Sequence, residues 1–445
     1  MTKVVSLRTD FCRTVKTRLR FKHFRHLFVE RHAGALAVLL VLCPAVSCMS
    51  LASVGIGNQH AHLLNAIAGS FLMAGFVPLF LWARFSFGYF VGFSFYGMIT
   101  GFIWITYFSG LKYDYVQARL SAIASLLMFL LPVLFITTPL KRRIALSPQT
   151  MNRLLILMLG LAAVVLAWNG RYGIAFVGIH EAEELRATFI RPAALNYITG
   201  FVIGALLPFA FAYFAAQRRY YLSAISIVLI LSFYPALLNK TVLLAAFWLP
   251  FLFFMFQVFE PKRAAIFSLL LPTAFCLGLY TAAPNDGPIR FFANYVFGYA
   301  NVRMLAIPSI AMNYYSDFFA SNPPTYFCQI NLVRSLVDCP YVSQLGPIFA
   351  DRYHVGNLNA SLFATEGIAS VGLPLAPISA LLSGLILSVG NSVSARLPPP
   401  LIAASAGLVM QALLNVPLSV ALLSNGLLVL LLLWYITPDI LNEEA

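Results

Sequence analysis

Apolar runs of membrane-spanning length follow one another along this chain with short polar gaps between them. The pattern stops near Ala283 and does not resume until after Leu358. A bilayer core is about 30 Å thick, so a helix needs roughly 20 apolar residues to cross it. The runs predict twelve such helices, at about 33–56, 62–83, 86–109, 118–139, 152–169, 195–216, 220–237, 241–258, 264–282, 360–388, 400–415 and 418–437. Lipid offers no partner to a backbone N–H or C=O, so each segment must satisfy its own. Barrel strands would need only about ten residues and would alternate in polarity. The expected fold is therefore all-α and polytopic, with one large loop at 283–359 between the ninth and tenth helices. The chain divides into a basic segment 1–32, nine helices over 33–282, the loop, three helices over 360–437 and a tail 438–445. The break at Leu237–Lys240 is thin, and 220–258 reads either as two helices or as one bent helix or re-entrant pair. No fixed-period repeat is visible, and the two halves show no similarity of the kind that many transporters carry.

Composition agrees with the pattern. Of 445 residues, 60% are hydrophobic and 10% charged, against about 25% charged in a soluble protein. The formal net charge is +14. In a soluble protein that excess would suggest nucleic acid; in a membrane protein, basic residues gather in the loops that stay cytoplasmic. Lys3, Arg8, Arg13, Lys16, Arg18, Arg20, Lys22, Arg25 and Arg31 precede the first run, which places the N-terminus inside. Every short loop on that side is then basic: Arg84, Lys141-Arg142-Arg143 with Arg153, Arg218-Arg219, Lys262-Arg263 and Arg396. Both ends are expected in the cytoplasm and the long loop outside. The stretch Lys16–Phe28 reads either as an amphipathic helix lying on anionic lipid or as a basic tail that only fixes topology. No cleavable signal is evident, because the first apolar run continues to span length.

Cys328 and Cys339 both fall in the long loop, eleven positions apart, and form a candidate disulfide on an oxidising face. Their spacing fits no zinc motif. There is no Gly-Lys-Ser/Thr phosphate loop, no dinucleotide fingerprint and no His-Glu-x-x-His, so neither nucleotide nor metal chemistry is expected.

The outer cations are the main chemical signal. Arg186, Arg191, Lys240, Arg290, Arg303 and Arg352 lie at or near one membrane face. Arginine suits phosphate because its planar fork binds two oxygens and stays charged. Each arginine alone reads equally as interfacial snorkelling or as a partner of Glu181, Glu183, Glu184 or Asp351; the set points to phosphate. His354, just before the chain re-enters the membrane, can take a proton near neutral pH, and Asp351 can orient or replace it. Glu366 sits inside the next apolar run, where a carboxylate is costly and marks function or an arginine partner. The helix start near Asn357 and Asn359 offers free N–H groups to an anion.

With these residues in view, the chain resembles the bacterial Wzy-type O-antigen and exopolysaccharide repeat-unit polymerases. Three stretches carry the likeness: Arg186 and Arg191 leading into Tyr197; Leu238-Asn239-Lys240-Thr241; and Gly356-Asn357-Leu358-Asn359-Ala360-Ser361 followed by Gly367-Ile368-Ala369-Ser370-Val371-Gly372. Val371 stands where that pattern usually has an aromatic residue. The resemblance implies a metal- and cofactor-free glycosyltransferase of the membrane-embedded C type in the bacterial inner membrane. Its substrates would be polyprenyl-pyrophosphate-linked oligosaccharides, with a flippase and a chain-length regulator as partners. Arg186, Arg191, Lys240, Arg290, Arg303 and Arg352 would hold pyrophosphate, and His354, Asp351 or Glu366 would act as base. Two other readings stay open. A lipid-linked glycan ligase would share the architecture. A transporter would need charges in the middle of several helices, where Glu366 is the clearest instance.

Overall fold

The structure is a computed structural model that describes residues 33–54, 62–178, 181–356, 358 and 362–438. The basic segment 1–32, nearly all of the tail, and Asn357 and Asn359 lie outside the described residues. Among the described residues every regular element is helical. In chain order these are α1 (Ala33–Ser53), α2 (Leu63–Trp82), α3 (Phe87–Ile105), α4 (Tyr115–Phe135), α5 (Pro148–Gly170), the short α6 (Glu181–Thr188), α7 (Ala193–Ala216), α8 (Tyr220–Leu237), α9 (Lys240–Val258) and α10 (Pro261–Ala282). There follow α11 (Pro288–Phe297), α12 (Ile307–Ser321), α13 (Asn331–Arg334), α14 (Leu345–Tyr353), α15 (Leu362–Ser394), α16 (Pro399–Leu413), α17 (Leu418–Leu423) and α18 (Leu427–Ile436). Ten of these, α1–α5, α7–α10 and α15, are long and apolar enough to cross a membrane. The chain is thus a helical protein of multi-pass membrane character.

The last two predicted runs differ from expectation. The run at 400–415 forms a helix of 15 residues, and the run at 418–437 is broken into α17 and α18. Pro417 has no N–H to continue α16. Gly426, with φ of 79°, turns the chain between α17 and α18 at a conformation most side chains avoid. The pair α8–α9 is resolved as two helices. Leu238 takes a left-handed conformation, and the Asn239 side chain then caps α9 by accepting from the Thr241 N–H at 3.0 Å.

The bundle is organised around α3. This Gly- and Phe-rich helix is 94% buried, whereas α2 and α5 are 22% and 28% buried and present most of their surface outward. α15 is bent at Gly372, with φ 76° and ψ 169°. Pro374 and Pro377 follow and lack the N–H groups that would close the ladder. Three carbonyls around the bend find other donors. Ala369 and Ser370 accept from the Thr325 and Tyr326 N–H groups at 2.7 and 3.1 Å, and Leu373 accepts from Ser121 Oγ at 2.5 Å. The bend therefore stitches the long loop to the bundle.

The loop itself is only partly external to the helices around it. From α11 the chain runs through a π-helical stretch, Gly298–Ala306, directly into α12. Asn301 is fully buried and donates to Ser50 Oγ of α1 and to the Thr273 carbonyl of α10, both at 2.8 Å. Ser309 donates to the Met98 carbonyl of α3 at 2.8 Å. Asn301 and Arg303 interrupt the apolar pattern of this stretch. Further out, Cys328 and Cys339 are disulfide-bonded, with Cα atoms 5.3 Å apart.

Candidate functional site

Four of the predicted cations meet at one place, each brought there by a break in regular helix. The turn at Leu238 and the Asn239 cap put Lys240 and Thr241 on the first turn of α9. The π-helical stretch carries Arg303; such bulges rotate the side chains that follow and recur at functional sites. Arg186 ends α6. Arg191 lies in the link to α7, where it donates to the Ala236 carbonyl and sits 5.7 Å from the Phe189 ring. Its Nε is buried with no partner. Burial, and then the positive charge of Arg186, lower its pKa. Both effects would be relieved by an anion.

These residues line two adjoining cavities. The polar one, about 550 Å³, includes Arg186, Arg191, Arg303, Asn239, Gln411 and Asn415 in its wall. The apolar one, about 590 Å³, is walled by Phe247, Trp248, Phe251, Phe275 and Tyr299, with Lys240 on its lining. Thr241, Arg303, Leu408 and Gln411 belong to both. Among the described residues lining the two cavities there is no aspartate, glutamate or histidine, so the charge they present is wholly positive. Lys240 Nζ lies 5.9 Å from the Tyr299 ring centroid. Burial, followed by the neighbouring Tyr299, pushes the Tyr295 hydroxyl up to about 12. Tyr295 therefore stays a neutral donor on the wall of the apolar cavity.

The remaining candidates lie elsewhere. Arg290 donates to the Tyr280 carbonyl at 2.9 Å and covers the Tyr280 ring at 4.4 Å. Arg352 lies 5.2 Å from the Phe318 ring and 5.6 Å from that of Tyr353. Asp351, Arg352 and His354 are exposed, with His354 in a left-handed conformation closing α14. Glu366, 9% exposed, meets no arginine among its described hydrogen-bond partners; its Oε2 accepts from the Leu418 N–H at 3.2 Å. Neither cavity counts Arg290, Arg352, Asp351, His354 or Glu366 in its lining. Among the described residues no group of three or more His, Cys, Asp or Glu could hold a metal.

Reading the sequence missed the amides. Gln411 and Asn415 of α16 and its end, Asn425 between α17 and α18, and Asn196 and Thr199 on α7 all line the polar cavity. The available signal was two amides four residues apart at the end of an apolar run.

No protein-family profile matches the chain, no curated protein matches it, and no solved structure matches it.

Proposed function

We propose that the chain is a membrane-embedded glycosyltransferase that joins polyprenyl-pyrophosphate-linked oligosaccharide units at the outer face of a bacterial inner membrane. In this reading α16 and the divided pair α17–α18 complete twelve spans, and both termini are cytoplasmic. The observation that carries it is the junction of the two cavities. A chamber whose described lining carries cations and no acid adjoins an apolar one of similar size, which suits a ligand with an anionic head and a hydrocarbon tail.

The chemistry follows from that fit. The bond between the sugar C1 and the pyrophosphate oxygen breaks, and C1 bonds to a hydroxyl oxygen of the next unit. Negative charge grows on the leaving pyrophosphate. Arg186, Arg191, Arg303 and Lys240 stabilise it as fixed charges that need no reorganisation. The hydroxyl proton leaves late; His354, exposed and outside the lining of both cavities with Asp351 three residues before it, is the candidate base on the acceptor side. Discharge of pyrophosphate supplies the driving force.

The test is the glycan profile of a deletion strain, beside strains rescued by wild type, Arg191→Ala, Arg303→Ala and His354→Ala. Single repeat units in the deletion, with expressed arginine variants that fail to restore long chains, support the proposal. Full-length polymer left unattached to its acceptor indicates a ligase. Unchanged polymer, or lipid-linked units accumulating on the inner leaflet, indicates transport and rejects the proposal.

A further inference from the structure

Phosphate oxygens only accept hydrogen bonds, yet part of the polar cavity offers acceptors. Asn415 Nδ2 donates to the Gln411 carbonyl at 2.8 Å, which fixes the amide and leaves Oδ1 able to accept beside the second N–H. Asn425 Nδ2 is turned the same way toward the Val420 carbonyl, at 3.5 Å. Asn239 is fixed in the opposite sense. Its Oδ1 takes the Thr241 N–H, so its NH₂ is left to donate. Thr199 Oγ1 accepts from Asn169 Nδ2 at 2.9 Å, leaving its own proton to give. The wall thus mixes donors and acceptors whose orientations are set by backbone or neighbouring groups. A sugar hydroxyl donates and accepts at once, and such a mixed wall suits it as a purely cationic one does not.

The segments bearing these amides are clamped. A Cβ on Gly200 or Gly204 of α7 would lie 2.1 Å from the Ser424 carbonyl oxygen or 2.3 Å from that of Asn425, so the turn between α17 and α18 sits directly on the α7 backbone. Glu366 holds the Leu418 N–H at the start of α17, three residues beyond Asn415. Fixed partners of this kind lower the cost of ordering a ligand.

We infer that Asn239, Gln411, Asn415 and Asn425 form a saccharide subsite for the sugar joined directly to the pyrophosphate. The inference rests on the glycosyltransferase reading and adds a consequence to it. The donor is held by head group and sugar together. Once the glycan has been transferred, the bare polyprenyl pyrophosphate has lost its amide contacts and binds more weakly than the donor, which favours its release.

The test is binding of two probes to the full-length protein in lipid nanodiscs: bare polyprenyl pyrophosphate, and the lipid-linked repeat unit accumulated by the deletion strain. Wild type is expected to bind the glycan-bearing lipid at least about tenfold more tightly, the worth of one or two well-made hydrogen bonds. Asn415→Leu, which keeps size and lies outside the apolar cavity's lining, should lose that preference while binding the bare lipid within about twofold of wild type. Arg303→Ala should weaken both probes. Equal binding of the two lipids by wild type, with arginine dependence intact, overturns the saccharide subsite alone. An Asn415→Leu protein that weakens both probes equally, or neither, also overturns it. Failure of wild type to bind either lipid overturns the glycosyltransferase reading with it.

Discussion

Glu366 gives the sharpest separation between a group that shapes the site and one that reacts in it. Its carboxylate lies on the first leg of α15, is 9% exposed, and meets the Leu418 N–H at 3.2 Å. Truncation to alanine leaves that buried N–H without an acceptor, at about 1–3 kcal/mol. It also removes one packed methylene, at about 0.8 kcal/mol. The expected loss for Glu366→Ala is therefore about 2–4 kcal/mol, and the Asn415 turn would move with α17. Glu366→Gln keeps an acceptor oxygen in place and gives up only the charge-assisted share, about 1 kcal/mol. Thermal unfolding of both variants in nanodiscs measures the stability ladder. Chain elongation across a range of pH measures function. The glutamine variant should elongate chains with the wild-type pH profile, while the alanine variant should be unstable and slow. A glutamine variant that is as stable as wild type yet inactive would refute the argument and make Glu366 a proton-transfer group.

Two further outcomes follow from close contacts and covalent structure. Gly204→Ala places a methyl 2.3 Å from the Asn425 carbonyl oxygen; the turn must shift, and binding of lipid-linked substrate should fall more than tenfold while the protein still reconstitutes as a monodisperse particle. Cys328→Ser opens a loop closed across 11 positions, worth about 3 kcal/mol by the chain-entropy estimate; limited proteolysis should cut this variant between 323 and 344 at protease levels that leave wild type intact.

The membrane character was legible in the sequence because burial in lipid demands long uninterrupted apolar runs, and ten of them appear as helices of the expected length. The four cations that converge were also legible, since charges at the ends of such runs are few. Their companions were not. Gln411, Asn415 and Asn425 are single amides in apolar surroundings, and each reads as an incidental polar residue until the fold sets them against Arg191 and Arg303. Ser424-Asn425-Gly426 is a turn signal that a run of leucines on both sides concealed. Arg290 and Arg352 illustrate the converse. Their aromatic and carbonyl partners, Tyr280 and Phe318, occupy them away from the two cavities. The sequence pattern puts Asn301 and Arg303 in the loop 283–359. In the structure Asn301 is spent on Ser50 and Thr273, which draws the stretch between α1 and α10.

The central claim is that the joined cavities hold a lipid pyrophosphate while its glycan is transferred. The most direct measurement is chain elongation by the purified protein in nanodiscs supplied only with lipid-linked repeat units, following glycan length and free polyprenyl pyrophosphate together. The account predicts longer chains, one polyprenyl pyrophosphate released for each new linkage, and loss of both products in Arg191→Ala and Arg303→Ala. Binding of the lipid-linked units without new linkages or released pyrophosphate, under conditions where the protein is folded, would contradict it.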